Sequence, residues 1–200
     1  LLCINGLVLR IYGWQGEWGS LGYFGGLAQA RSAFPGIQQW VRRWTGGGTV
    51  DHRGDWTYSL VIPSTGADQR LDGAKTYRAI HRALAETLQS EGLNVRLSDG
   101  DADTGLVACF ENPVTHDLVD DSGRKLAGAG QKRNNTGLLH QGSVALHAAT
   151  RELSRARAER LADALSGGSW SEASLEIPAD AIRALIDQRY GKYAWNQRRS

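Results

Sequence analysis

The chain of 200 residues has no methionine and only two cysteines, Cys3 and Cys109. Two cysteines make at most one disulfide, which excludes the cysteine framework of a small secreted domain and favours a reducing cytoplasm. The missing methionine, initiator included, suggests a sequence that omits residues or begins inside its gene. No stretch approaches the ~18 apolar residues of a membrane span, and no basic, apolar, small-residue series marks a leader, so no membrane partner is expected. A surplus of one charge is absent too. The 23 Lys and Arg against 21 Asp and Glu leave a net +2 spread along the chain, which speaks against a nucleic-acid partner.

Several common sites are also missing. There is no G-x-x-x-x-G-K-[ST], and Gly128-Ala129-Gly130 lacks the spacing and following helix of a dinucleotide fingerprint. His52, His81, His116, His140 and His147 fall in no H-E-x-x-H or paired-cysteine pattern, so no metal site is expected. No serine sits in G-x-S-x-G.

What is present suits one domain, residues 1–200. With 41% hydrophobic and 22% charged residues the chain can bury ~70% of its unfolded surface. Its 25 glycines are most concentrated at Gly13 to Gly26, Gly46 to Gly48 and Gly123 to Gly142. Between them lie short β-branched and aromatic runs that read as strands: Val8 to Tyr12, Leu21 to Phe24, Trp40 to Trp44, Trp56 to Ile62, Val107 to Phe110 and Leu138 to Leu146. Helical spacing predicts a helix through Tyr77, Ile80, Leu84 and Leu88 ending near Gly92, and another from Thr150 to Leu165 ending at Gly167-Gly168. A third starts at Pro178 and is expected to bury Ile182, Leu185 and Ile186. Strands and helices do not alternate strictly, so the fold class is α+β, a central mixed, largely antiparallel sheet flanked by helices.

Two segments carry chemistry. In Val41 to His52, a strand ending in Arg42-Arg43 runs into Gly46-Gly47-Gly48, so unhindered N–H groups and guanidinium charge can converge on a phosphate or carboxylate. The same run can also be a glycine hairpin with solvated arginines. In Asp117 to Arg133, a turn at Ser122-Gly123 places Lys125 at the start of a strand, where its ammonium could polarise a carbonyl or simply face solvent.

Together with a third segment these resemble the catalytic domain shared by lipoate-protein ligases, octanoyltransferases and biotin ligases. The matching runs are Arg42-Arg43-Trp44-Thr45-Gly46-Gly47-Gly48 through His52, Gly123-Arg124-Lys125-Leu126-Ala127-Gly128 with Gln131 and Arg133, and Leu139-His140-Gln141-Gly142-Ser143. Weaker similarity runs from Val8 to Trp14, through Ser20 to Phe24, to Trp195-Asn196-Gln197-Arg198. The biotin-ligase loop of alternating glycines and arginines is absent, which leaves the lipoate side. The chain departs from the family pattern at Asp51, His116 and Gly130.

The resemblance implies an acyl-binding tunnel with catalytic Lys125 at the acyl carbonyl or acyl-phosphate. Arg42, Arg43, Thr45, Gly46, Gly47, Gly48, His52, Gly128, Ala129, His140, Gly142 and Ser143 would bind substrate. For His52 and His140, a structural hydrogen bond is an equal alternative. Leu21, Tyr23, Val50, Leu126 and Val144 would line the tunnel or fill the core.

Cys109, in Ala108-Cys109-Phe110, resembles the nucleophile of the cysteine-dependent octanoyltransferases, which take an acyl group from a carrier thioester. The resemblance then implies no cofactor, octanoyl carrier protein as donor, and apo lipoyl domains of 2-oxoacid dehydrogenases or the glycine-cleavage H protein as acceptors. The alternatives are an ATP- and Mg2+-dependent ligase that forms a lipoyl-adenylate, with Cys109 packed and the accessory domain on a separate protein, and a non-catalytic binder of lipoyl domains or acyl groups. On this reading Lys125→Ala abolishes transfer and spares the fold.

Overall fold

The computed structural model describes residues 1–4, 6–64, 72–100, 113–146, 150–174, 176 and 178–197. Cys109, the Val107 to Phe110 run and His147 lie outside them. The strands are β1 (Leu2–Ile4), β2 (Leu7–Tyr12), β3 (Trp18–Leu21), β4 (Gln39–Arg42), β5 (Val50–Asp51), β6 (Trp56–Pro63), β7 (Arg96–Leu97), β8 (Leu118–Val119), β9 (Lys125–Asn134), β10 (Gly137–Val144) and β11 (Ser171–Glu172). The helices are α1 (Leu27–Ala33), α2 (Gly73–Ser90), α3 (Arg151–Ser166), α4 (Ala179–Leu185), which continues into a π-turn at Ile186–Tyr190, and α5 (Tyr193–Asn196).

One sheet has the order β11-β1-β2-β6-β10-β9-β8-β7 and a small one the order β4-β3-β5. The larger sheet is antiparallel in every described pairing. Among the described strands the one parallel pair, β3 with β4, lies in the small sheet, because α1 carries the chain across between them. The expected mixture is thus divided between two sheets.

Side chains alternate across the larger sheet with period two. Trp56, Tyr58 and Leu60 of β6 pair with Val144, Gly142 and His140 of β10 on the face that carries α2 and α3. There Ile80, Leu84 and Leu88 of α2 meet Ala158 and Leu161 of α3 in the main core. The α2 spacing predicted this, and Asp72 caps the helix by accepting from the N–H groups of Ala74 (2.9 Å) and Lys75 (3.3 Å). The opposite face, with Arg10, Tyr12, Thr57, Leu139, Gln141 and Ser143, turns toward the small sheet.

Two expectations are corrected, and one alternative is decided. The strand expected at Leu21 to Phe24 ends at Leu21, because the carbonyls of Gly22, Tyr23 and Gly25 turn toward the Arg42 guanidinium instead of a neighbouring strand. Ile182, Leu185 and Ile186 are exposed, since no described element covers α4. Of the five residues expected along the tunnel only Val50 lines the cavity described below. Leu126 and Val144 belong to the main core, and Leu21 packs with Leu27, Ala30, Ile37 and Trp40 in a second core. Tyr23 stacks edge-on against Trp44 and Trp195.

Candidate active site

A cavity of about 260 Å³ lies between the outer face of the larger sheet and the loop that joins β4 to β5. The loop reaches the sheet because it is built from glycine. Gly47 has φ +90°, and a Cβ on Gly22 would stand 1.8 Å from its carbonyl oxygen. On the sheet side, a Cβ on Gly130 would lie 2.3 Å from the Gly46 oxygen, which explains glycine at that departure from the family pattern. Tyr12, Trp14, Val41, Trp44, Val50 and Leu139 make the apolar part of the wall.

Lys125 opens β9 beside this cavity, with its side chain 3% exposed. Its Nζ is 2.7 Å from Oδ2 of Asp117, which is fully buried. Asp117 also accepts from the Val114 N–H at 2.8 Å and from the Tyr77 hydroxyl. Burial, reinforced by the charge of Asp117, pushes the Tyr77 phenol up and keeps it a donor. His116, which precedes Asp117, takes a left-handed φ of +73°. Its carbonyl accepts from Nδ1 of His81 at 2.6 Å, while its N–H donates to Ser98. The lysine is therefore aimed by a carboxylate whose own backbone turn is held by α2, and a desolvated ammonium so fixed can stabilise developing negative charge on a carbonyl oxygen.

Both arginines donate to backbone carbonyls around the cavity. Arg42 is wholly buried and donates to the carbonyls of Gly22, Tyr23, Gly25, Trp195 and Asn196. It ties residues 195 and 196 to the loop after β3. Arg43 donates to Gly46 O (3.3 Å), Gly48 O (2.8 Å) and Ser20 Oγ (2.5 Å), so it braces the glycine loop from within. His52 stacks on Trp14 with ring centres 4.1 Å apart. Its Nε2 lies 2.7 Å from Ser20 Oγ and its Nδ1 2.7 Å from Asp55 Oδ2.

The fold brings the predicted residues together. Arg42, Arg43, Gly47, His52, Lys125, Gly128, Ala129, Gly142 and Ser143 all line the cavity. Thr45, Gly46, Gly48 and His140 stand behind it. Thr45 donates to Gln141 Oε1 at 3.0 Å, and His140 is buried between Tyr58 Oη and Gln131 Nε2, each 3.2 Å away. Burial, with His81 nearby, holds the His140 imidazole well below its usual pKa. The residues missed were Tyr77 and Asp117 behind Lys125, and Ser20 and Asp55 behind His52. Asp55, three residues past a motif histidine, was the one with a local signal. No cluster of three or more His, Cys, Asp or Glu side chains suited to a metal occurs among the described residues.

The chain is 31% identical to the octanoyltransferase LipM of Symbiobacterium thermophilum, over 96% of this chain and 86% of that protein. It is 28% identical to the Bacillus subtilis octanoyltransferase LipM, over 70% of this chain and 54% of that one. It thus spans about half the length of several LipM relatives. Among solved structures, a Thermoplasma acidophilum protein described as a lipoate protein ligase, with bound lipoic acid, superposes with a TM-score of 0.76 at 19% identity, covering 97% of this chain and 86% of that one. A lipoate-protein ligase A bound with ATP gives 0.74 at 20% identity, covering 96% and 85%. The fold is shared with both. Residues 35–168 match the lipoyl protein ligase A/B catalytic domain, and the chain belongs to that family.

Proposed function

We propose that the protein is an octanoyltransferase of protein lipoylation, working in the cytoplasm without ATP or metal. The observation that carries this is Lys125, an ammonium 3% exposed and fixed at 2.7 Å by Asp117, at the wall of a largely apolar cavity. An ammonium has three N–H donors, so holding Asp117 is compatible with a hydrogen bond to an acyl oxygen.

The chemistry runs through Cys109. Its thiolate adds to the carbonyl carbon of an octanoyl thioester on carrier protein, the carbonyl oxygen takes negative charge beside Lys125, and the carrier thiolate leaves. The neutral amine of an acceptor lysine then adds to the Cys109 thioester. The C–S bond breaks, the amide forms, and the amine proton passes to the departing thiolate. The acyl chain lies against Tyr12, Trp14 and Leu139, and Arg43 keeps the glycine loop in place over it. The acceptors are apo lipoyl domains of 2-oxoacid dehydrogenases or the glycine-cleavage H protein.

Intact-mass spectrometry after mixing with octanoyl carrier protein tests this. An octanoyl adduct that hydroxylamine removes and that Cys109→Ser abolishes is expected, followed by transfer to an apo lipoyl domain. Full activity of Cys109→Ser with free octanoate, ATP and Mg2+ would establish the adenylate-forming ligase instead. No product with either donor set would leave a binder.

A further inference from the structure

Asp55 is the meeting point of the cavity's polar wall. Its side chain is 4% exposed, and its Oδ2 takes three contacts: His52 Nδ1 at 2.7 Å, Thr57 Oγ1 at 3.0 Å and Ser143 Oγ at 2.5 Å. Its Oδ1 is buried with no hydrogen-bond partner among the described residues. A buried carboxylate oxygen left unsatisfied costs stability, while the other oxygen gives three buried donors their shared acceptor.

We infer that Asp55 is a positioning residue: it fixes the tautomer of His52 and, through Ser20, the aim of Arg43 across the triple-glycine loop. With the His52 imidazole neutral, the direction of every bond follows from the two ends. A carboxylate only accepts, so His52 Nδ1 carries the proton, and in the neutral imidazole Nε2 is left as an acceptor. A guanidinium only donates, so the Ser20 oxygen accepts from Arg43 Nη1 and its own proton goes to His52 Nε2. Arg43 then has one orientation, in which its other amino group holds the carbonyls of Gly46 and Gly48. In a trans peptide the N–H opposes the C=O, so the Gly47 N–H is turned away from Arg43. Asp55 steadies the apolar wall as well. Thr57, which it holds, accepts from Trp14 Nε1 at 3.0 Å, and Trp14 stacks on His52. One carboxylate thus joins the end of the first motif, His52, to the end of the third, Ser143.

The kinetic part of this inference rests on the octanoyltransferase reading. Its structural part does not, and Asp55→Asn with Ser20→Ala separates the two. In the parent, nitrogen NMR of the His52 ring should show a single tautomer, protonated at Nδ1. Asp55→Asn, nearly the same shape without the charge, should lose that single tautomer. Its octanoyl transfer should fall about 10–100-fold, with KM for the acyl carrier near the parent's, as when the group that orients an imidazole is neutralised. Ser20→Ala should keep the Nδ1–H tautomer yet lose transfer to a similar degree, because it cuts the chain between His52 and Arg43. An unchanged tautomer in Asp55→Asn, or parental rates in Ser20→Ala, would overturn the inference. If Asp55→Asn does not fold, Ser20→Ala decides. If the parent itself transfers no acyl group, the function reading fails and the tautomer comparison alone judges Asp55.

Discussion

Lys125→Ala perturbs two properties at once. On the proposed function it removes the charge facing the acyl oxygen, and in any case it leaves the Asp117 carboxylate buried without its ion partner. Breaking a buried pair costs about 3–5 kcal/mol, so the expectation that this variant spares the fold is revised. A lowered melting temperature together with lost transfer is expected. Adding Asp117→Asn to Lys125→Met should recover much of the melting temperature and none of the activity, which thermal melts and a transfer assay would distinguish. Gly47→Val should also fail on two counts. Its φ of +90° is costly for any side chain, on the order of 1–3 kcal/mol, and its Cβ would stand 3.3 Å from Arg43 Nη2. Calorimetric titration with a stable octanoyl thioester analogue should show binding lost in Gly47→Val. Parental affinity would make the loop a mere turn.

At the scale of elements, Arg42 holds α5 to the rest of the molecule. Its guanidinium donates to Trp195 O and Asn196 O, its backbone N–H to Asn196 Oδ1, and its carbonyl accepts from Trp195 Nε1. Trp195 in turn stacks on Trp44 at the cavity wall, with Arg189 4.1 Å from the Trp44 ring centre. A lysine presents a point charge and cannot match a planar fork of carbonyl partners. Arg42→Lys should therefore speed amide exchange at residues 193–197 and alter the fluorescence of the stacked tryptophans, while exchange in β6 and β10 stays slow. The helices α2 and α3 are joined by Glu91, which pairs with Arg157 at 2.6 Å and Arg160 at 2.9 Å. Burial alone would raise the Glu91 carboxyl, but hydrogen bonds from the two arginines hold it below its ordinary value.

Across the whole molecule, stability should depend on pH from neutrality downward. Burial lowers the His81 imidazole from 6.5 to about 4, and His140 is lowered by the same cause. Below pH 6.5 the unfolded chain takes up protons that the folded one refuses, so stability falls as pH drops from 6.5 toward 4 and this contribution is exhausted below that. The lowered carboxyls of Asp51 and Glu91 add a further loss as they protonate at more acid pH. Melting temperatures should thus decline between pH 7 and pH 5, before the carboxylates titrate. Replacing His81 with asparagine should flatten that slope, and an unchanged slope would show that His81 does not carry it.

Local sequence was enough for the pieces whose cause is local. The 3.6-residue spacing set α2 and α3, the glycines after them set their ends, and the alternation of β6 and β10 followed from their β-branched and aromatic residues. Three short motifs with glycines, arginines and one lysine were legible as belonging together, and the chain folds so that most of them share one cavity. What local sequence left open depended on residues far apart in the chain. Whether Leu126 and Val144 face core or cavity depends on which side of the sheet the helices cover, and Arg42 turned out to be a clamp because residues 195 and 196 return to it. Asp117 and Tyr77, 40 residues apart, meet only after α2 packs on the sheet. A sequence records which side chains can donate, accept or pack, whereas a partner's identity is set by long-range pairing, and only the tertiary structure decides that.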